Sequence, residues 1–582
     1  MIRKLLDLTF ILTFAIFLFN ACNSDKDKGN IVSVRLVTEP SKLNPLITED
    51  ANVFILASHI FMPLLDFDPN TLELVPSLAK SRPLVTPIDT GKYKGGLAYT
   101  FDIKDEATWD NGQPVTAADY VFTLKIILNK KIAADNFRST IEFVKDITLD
   151  AQNTKKFTIY SAEPYIMSEQ NCGTIPIYPE YLYDSAKIMQ KFSVAELLSY
   201  GKDTTKWRNP DLMAFAASFQ STKFSNDKNG IVGCGAYLVD TWVAGQSIGL
   251  KKKNNWWGDK LAAKEPLFAA YPERIVYKTI KDNATTASLV QNGELDAVIN
   301  IPAKDFSAMK QDAKVSAKYN LTAVTLPSLA MLGFNCKSPM LNDKKTRHAV
   351  AHTVDIQTII KNIGGGFGVE CPSPFVIQRP YFDKTLKPVT LDIDKAKALL
   401  AEAGWKDSDN NGFVDKKIGG KTTDLTLRFA IRADETLKNL GLLLQDNGKK
   451  AGINIVIVPY EGTTVFAALK KRDFDIFYNS PGFAPGLDDP KELWATVSNT
   501  PEGGNRFQFE NKQADALMEQ IRKEMNETKR NELYKQFQNL IADEQPAVFL
   551  FVRQERIALN NRFNAPVIAR RPGFSPNMFQ LK

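Results

Sequence analysis

Apolar residues along this chain fall into three patterns. Leu8 to Phe19 is a run of 12 residues broken only by Thr9 and Thr13. That is the length of a signal peptide and short of the roughly 20 residues a spanning helix needs. Ile31 to Val37 alternates apolar and polar residues, which predicts a strand. Thr100 to Lys104 predicts another, followed by a turn at Asp110-Asn111-Gly112. Thr116 then opens a helix, with Asp119 three residues on in the manner of a capping box. From Asp394 to Ala403 the period becomes helical: Ala396, Leu399, Leu400 and Ala403 share one face, and Gly404 can close it. Ile453 to Val458 reads as a buried strand and Phe474 to Tyr478 as the next. Strands alternating with helices predict an α/β protein with largely parallel sheets. Gly-, Pro- and Asn-rich stretches near 90–96, 201–230, 361–375 and 479–505 predict loops, candidates for domain edges and binding surface.

Composition narrows the class. The 582 residues suggest about three to five domains, or fewer large ones. With 44% apolar and 24% charged residues, wholesale disorder, collagen and coiled coil are excluded. The 73 basic and 66 acidic residues leave a net charge of only +7. No dense basic block with interleaved aromatics appears, so nucleic acid is not an expected partner. Three histidines and five cysteines offer little for a metal site, and no cofactor is expected.

The N-terminal run is an export segment. Arg3 and Lys4 precede it, and Ala21-Cys22 ends it in a form that resembles a bacterial lipobox, with departures at Phe19 and Asn20. The alternative is an ordinary secretory signal with a chance cysteine. On the lipobox reading, residues 1–21 are removed, Cys22 carries lipid that tethers the protein to a membrane, and residues 22–30 form a polar flexible tether. The body of the chain then sits on the periplasmic or cell-surface side. There Cys172, Cys234, Cys336 and Cys371 could form two disulfides in three connectivities, or remain free thiols.

Six blocks then occur in order. They are Thr100–Asp105 with Trp109–Phe122; Gly233–Tyr237 with Gly245–Leu250 and Asn254–Gly258; Asn292–Ala297; Gly333–Asn335 through Asp343–Val350 to Asp355; Lys395–Trp405; and Asp473–Ile476. Together they resemble the family 5 extracellular solute-binding proteins, the oligopeptide-, dipeptide- and nickel-binding components of ABC importers. The resemblance implies an α/β, two-lobed periplasmic-binding-protein-like (class II) fold, with an extra domain inserted in the first lobe. The expected limits are 31–69 and 216–325 for lobe 1, 70–215 for the insert, 326–548 for lobe 2, and a return to lobe 1 over 549–582. The chain should cross between lobes near Ala323–Gly333 and return near Pro546–Arg553. It further implies a monomer that captures peptides, closes like a hinge and passes them to permease subunits. An oligosaccharide or metal chelate is the alternative solute. An exported hydrolase is the alternative of another class, disfavoured because no GxSxG, HExxH or SxxK motif is present.

Three stretches invite sharper chemistry. His348 and His352 have the spacing of a helical zinc pair, but Ala349 stands where the HExxH glutamate would be. Asp407 to Asp415 mimics the first nine positions of a calcium loop, but the twelfth is Ile418 rather than a bidentate glutamate. The third is the ligand loop. Asn479, Ser480, Gly482, Phe483, Gly486, Asp488 and Asp489 are the candidate ligand-binding residues. In the peptide-binding relatives this region carries Gly-Trp and then an aspartate for the peptide's ammonium group. Here Phe483 replaces the tryptophan and Gly486 the aspartate. Asp488 is the expected substitute, with Asp489 next; otherwise the ligand lacks an N-terminal amine.

Overall fold

Two long strands, Tyr319–Phe334 and Ala547–Asn560, pair antiparallel and tie the molecule together in a computed structural model that describes residues 29–582. The expected signal segment, Cys22 and all but the end of the expected tether lie outside the described residues. Each crossing strand belongs half to one lobe and half to the other, within one eleven-stranded sheet. On one side the order runs through Ala297–Val298, Ile31–Leu36, Arg274–Thr279, Ser247–Lys252 and Tyr237–Val243. On the other it runs through Ile476–Asn479, Thr426–Arg432 and Asn454–Tyr460. The crossing ladder loses register between Thr325 and Leu329. Pro327 sits in that gap, and a proline has no N–H to give to a ladder. We refer to this break as the hinge segment.

The sheet is mixed rather than largely parallel. Ile31–Leu36 is parallel to Arg274–Thr279, and Thr426–Arg432 to both its neighbours. Both crossing strands run antiparallel to their partners. A chain that crosses between lobes and returns must produce antiparallel neighbours at the crossing. The Asn454–Tyr460 strand is the sheet's outer edge, and Val456 is 40% exposed. Its apolar run is therefore half-solvated, not buried as the sequence predicts.

A second, antiparallel sheet orders Leu84–Pro87, Leu97–Asp102, Lys156–Ser161 and Val144–Leu149. With helices such as Ala117–Leu128 it forms the insert. The insert has no separate core: Tyr99, Phe122 and Tyr178 belong to the same buried cluster as Val32 and Tyr277 of lobe 1. The 201–230 stretch, expected as a loop, contains the helix Pro210–Phe219, opened by the Asn209 side chain and by Pro210 at its first position.

The six blocks are mostly scaffold. Asp119 Oδ2 accepts from the Thr116 N–H at 2.9 Å, the Thr116 hydroxyl at 3.0 Å and Trp109 Nε1 at 3.3 Å. That fixes the helix start against the Trp109 turn. Trp256 and Trp257 both donate to the Cys234 carbonyl, at 2.8 and 2.9 Å. Asp296 pairs with Arg562 at 2.7 Å and binds the first strand's Ser33 N–H at 2.8 Å, pinning the C-terminal tail to lobe 1. The four cysteines are free thiols. Burial pushes Cys172, Cys234 and Cys371 up to about 12. Among the described residues no helix is long and apolar enough to cross a membrane.

Candidate functional site

Where the crossing ladder breaks, a cavity of about 490 Å³ opens between the lobes. That lies within the range of small-molecule sites, roughly 300–1,000 Å³. The hinge contributes Leu326, Pro327 and Ser328, and lobe 2 contributes Gly482 to Pro485. These two segments are extended and paired. The Phe483 N–H donates to the Pro327 carbonyl at 2.7 Å, and the Leu329 N–H to the Pro481 carbonyl at 3.1 Å. Main chain from both lobes thus forms one wall. Gly482 has open space on its side-chain side, with no atom within 4 Å of where a Cβ would stand.

The remaining wall comes from lobe 1 and the insert. It is rich in aromatics: Phe54, Phe61, Phe67, Phe137, Tyr237 and Trp256. Its charged members are Asp66, Arg570 and Arg571. Arg570 Nη1 donates to Asp66 Oδ2 at 2.9 Å. His59 is buried at the wall with its Nε2 2.9 Å from the Tyr277 hydroxyl. Burial, reinforced by the charge of Arg570, holds the imidazole down at about 4, so it is neutral near pH 7.

Of the seven residues singled out on the ligand loop, Gly482 and Phe483 line this cavity. Asn479 closes the short Ile476–Asn479 strand, and Ser480 Oγ lies 3.4 Å from Ser328 Oγ. Gly486 has φ +88°, and a Cβ there would stand 2.2 Å from Gln170 Oε1 of the insert. Its left-handed conformation is what favours glycine.

The expectation for Asp488 is corrected. Its carboxylate is already neutralised: Arg379 Nε and Nη2 both donate to it at 2.7 Å, and the Tyr381 hydroxyl at 2.6 Å. Burial opposes the charge on Arg379, but Asp488 overcomes it and the guanidinium is raised above its usual value. Asp489 is committed likewise, accepting from Arg522 at 2.8 Å and from the Tyr165 hydroxyl at 2.9 Å. Neither aspartate lines the cavity.

Tyr165 belongs to the insert, so these bonds also fasten the lobes. Beside them the Ile166 N–H donates to the Arg522 carbonyl at 2.9 Å, and Lys523 pairs with Glu163 at 2.7 Å. The guanidinium of Arg522 lies 4.9 Å over the Tyr165 ring. The lobe 2 loop is thereby held down over the cavity.

The other two stretches make hydrogen bonds within the protein. His348 Nε2 and His352 Nδ1 meet the carbonyls of Asp543 and Thr390, at 2.8 and 2.9 Å. Asp407, Asp409 and Asp415 place carboxylate oxygens within 4.8 Å of one another. Those oxygens serve the turn's own donors, among them the Gly412 N–H at 3.0 Å and the Ser408 N–H at 2.7 Å.

Sequence reasoning missed most of the wall. The Trp256-Trp257 pair was a visible signal, being part of a block without an assigned role. Arg570-Arg571 had none, because nothing local marks a tail that returns to the site.

Known proteins share this fold. A profile of bacterial extracellular solute-binding proteins, family 5 (middle), matches residues 73–504. The oligopeptide-binding protein AppA of Bacillus subtilis (strain 168) is 24% identical over 582 residues, spanning 95% of this chain and 94% of its own. The solved structure of that AppA with a nonapeptide aligns at TM-score 0.68 and 21% identity, over 95% of this chain and 99% of that one. NikA from Brucella suis, in complex with Fe(III)-EDTA, aligns at TM-score 0.73 and 18% identity, over 95% and 100%. The profile covers well over half of the sequence, and the fold match extends to nearly all of it. The chain belongs to the bacterial extracellular solute-binding proteins of family 5.

Proposed function

We propose that this protein captures peptides in the interlobe cavity and hands them to the permease of an ABC importer, held at the outer side of a bacterial membrane by lipid on Cys22. It works as a monomer. The observation that carries the peptide reading is the paired main chain of Leu326–Ser328 and Pro481–Phe483 at the cavity wall. Extended main chain at a wall can pair with a peptide's own backbone, which gives affinity without reading side chains. The apolar and aromatic remainder suits varied side chains, and the name of the AppA relative agrees. Gly482 and Phe483 are the ligand contacts on the lobe 2 side. A second reading, an anionic metal chelate, draws on the two wall arginines and on the NikA complex.

Gly482→Trp tests the site. Gly482 is exposed and a Cβ there meets no atom within 4 Å, so the variant is expected to fold as the wild type does, which its thermal midpoint checks. Filling that space should remove the bound solute. Native mass spectrometry of gently purified protein should find short peptides on the wild type and none on the variant. A chelate or sugar on the wild type would favour the other solutes. Equal occupancy of both proteins would move the site elsewhere.

A further inference from the structure

Resting on the peptide reading, we infer that the charged group this site recognises is a carboxylate, held at Arg570 and Arg571, and that the ligand's ammonium group, if it has one, is not bound by a counter-ion in the cavity. Among the described residues two arginines line the cavity and only one carboxylate, Asp66. Asp66 is already joined to Arg570 at 2.9 Å. The acids on the lobe 2 loop are committed as well, Asp488 to Arg379 and Asp489 to Arg522. An ammonium group brought into the cavity would therefore have to displace an existing ion pair. A buried cation without a partner is strongly disfavoured.

The opposite charge meets a prepared place. Arg571 has no hydrogen-bond or ion-pair partner among the described residues, and it is exposed at the cavity's edge. Arg570 uses Nη1 for both Asp66, at 2.9 Å, and the Phe67 carbonyl, at 3.5 Å, which leaves Nε and Nη2 without a hydrogen-bond partner among the described residues, and its neighbour's guanidinium adds a second cation at the same rim. Arginine's planar fork suits a carboxylate better than any other side chain. A second chamber of about 300 Å³ adjoins the first and shares Asp66, Arg570 and Arg571 with it. The arginines thus stand on the partition between an aromatic chamber and a smaller rear one. A ligand with an apolar body in the front chamber would bring its acid to this partition. The carboxylate can be a peptide's C-terminus or that of a non-peptide aryl acid.

Calorimetry on wild type, Arg571→Gln and Arg571→Lys separates these sources. The probes are one pool of short apolar peptides in two forms, N-acetylated with a free carboxylate and free-amine with a C-terminal amide, together with hydrocinnamate. The N-acetylated acids should bind the wild type, and the amides should bind more weakly. Losing one charge-assisted hydrogen bond corresponds to about a ten- to hundredfold drop in affinity. Arg571→Gln should show that drop for the acids only, and Arg571→Lys should recover part of it. Amides that bind as tightly as acids would overturn the inference and leave the peptide reading standing. Hydrocinnamate binding that depends on Arg571, with neither peptide form bound, would support the carboxylate and overturn the peptide reading. No binding of any probe would overturn both.

Discussion

Asp488→Ala should destabilise lobe 2 by about 3–5 kcal/mol, the cost of leaving one member of a buried ion pair alone. Arg379 is the member left. Its side chain is 4% exposed and that of Asp488 is 11% exposed, so water cannot take the carboxylate's place. The pair also organises its surroundings. The Tyr381 hydroxyl donates to the same carboxylate, the Tyr534 hydroxyl donates to the Asp488 carbonyl, and the two rings stack with centroids 3.8 Å apart. Arg379 Nη2 also donates to the Ala484 carbonyl, in the segment that lines the cavity. Hydrogen exchange is the suitable measurement, because a chain of several packed units need not unfold in one step. Protection should fall around 379–381 and 484–490. Replacing both partners, as Arg379→Met with Asp488→Leu, should restore part of it, since no orphaned charge remains although the Tyr381 hydroxyl and the Ala484 carbonyl lose a partner. Equal exchange in wild type and Asp488→Ala would mean that the pair holds nothing. The same geometry bears on ligand binding in Asp488→Asn. Binding of free-amine and N-acetylated peptides should weaken together, because the loop shifts; selective loss of the free-amine form would restore Asp488 to the site.

The second large effect is a loss of lobe 1 stability in acid through His59. Its pKa is about 4 in the folded protein against an ordinary 6.5. As pH falls through 6.5 the unfolded chain takes up a proton that the folded chain refuses until about pH 4. The unfolded state then binds more protons, so stability is full above pH 6.5 and declines across that window. The difference corresponds to about 3 kcal/mol, at 1.36 kcal/mol for each pKa unit. Arg570 faces the ring from the C-terminal tail, and the Tyr237 and Tyr277 rings pack against it at centroid distances of 5.8 and 6.3 Å. None of these offers the negative charge an imidazolium would need. His59→Phe removes the titration and keeps an aromatic ring in place. Denaturation midpoints of lobe 1 measured between pH 7 and pH 4 should fall less in the variant. Every other titrating group is common to both proteins and cancels in the comparison. Identical pH dependence would show that His59 does not carry the effect.

What the sequence made legible was local. The alternation at Ile31, the helical face of Ala396 and Leu400, and the Thr116–Asp119 cap all act within a few residues, and each element stands where its pattern put it. Position within a sheet is not local. Ile453–Val458 is apolar enough to be central, yet its strand is the last in the order and half of it faces water. The ligand loop was legible as a loop, and Gly482 and Phe483 do line the cavity. Whether an aspartate on it is free depends on what lies opposite, and Arg379 is 109 positions away from Asp488. The charge that most shapes the cavity was the least visible, since Asp66 and Arg570 are separated by 504 positions and meet only because the tail returns along lobe 1.

Solute capture by hinge closure has one direct test. The lobes here are fastened through Tyr165, Asp489, Arg522 and Lys523, and the crossing ladder is broken at Pro327. A ligand that touches both walls favours the closed arrangement by its differential affinity alone. Small-angle scattering should therefore be recorded on the protein freed of solute and again with the short-peptide pool at saturation. A smaller radius of gyration with peptide is expected. An unchanged profile, with binding confirmed by calorimetry on the same sample, would contradict capture between moving lobes.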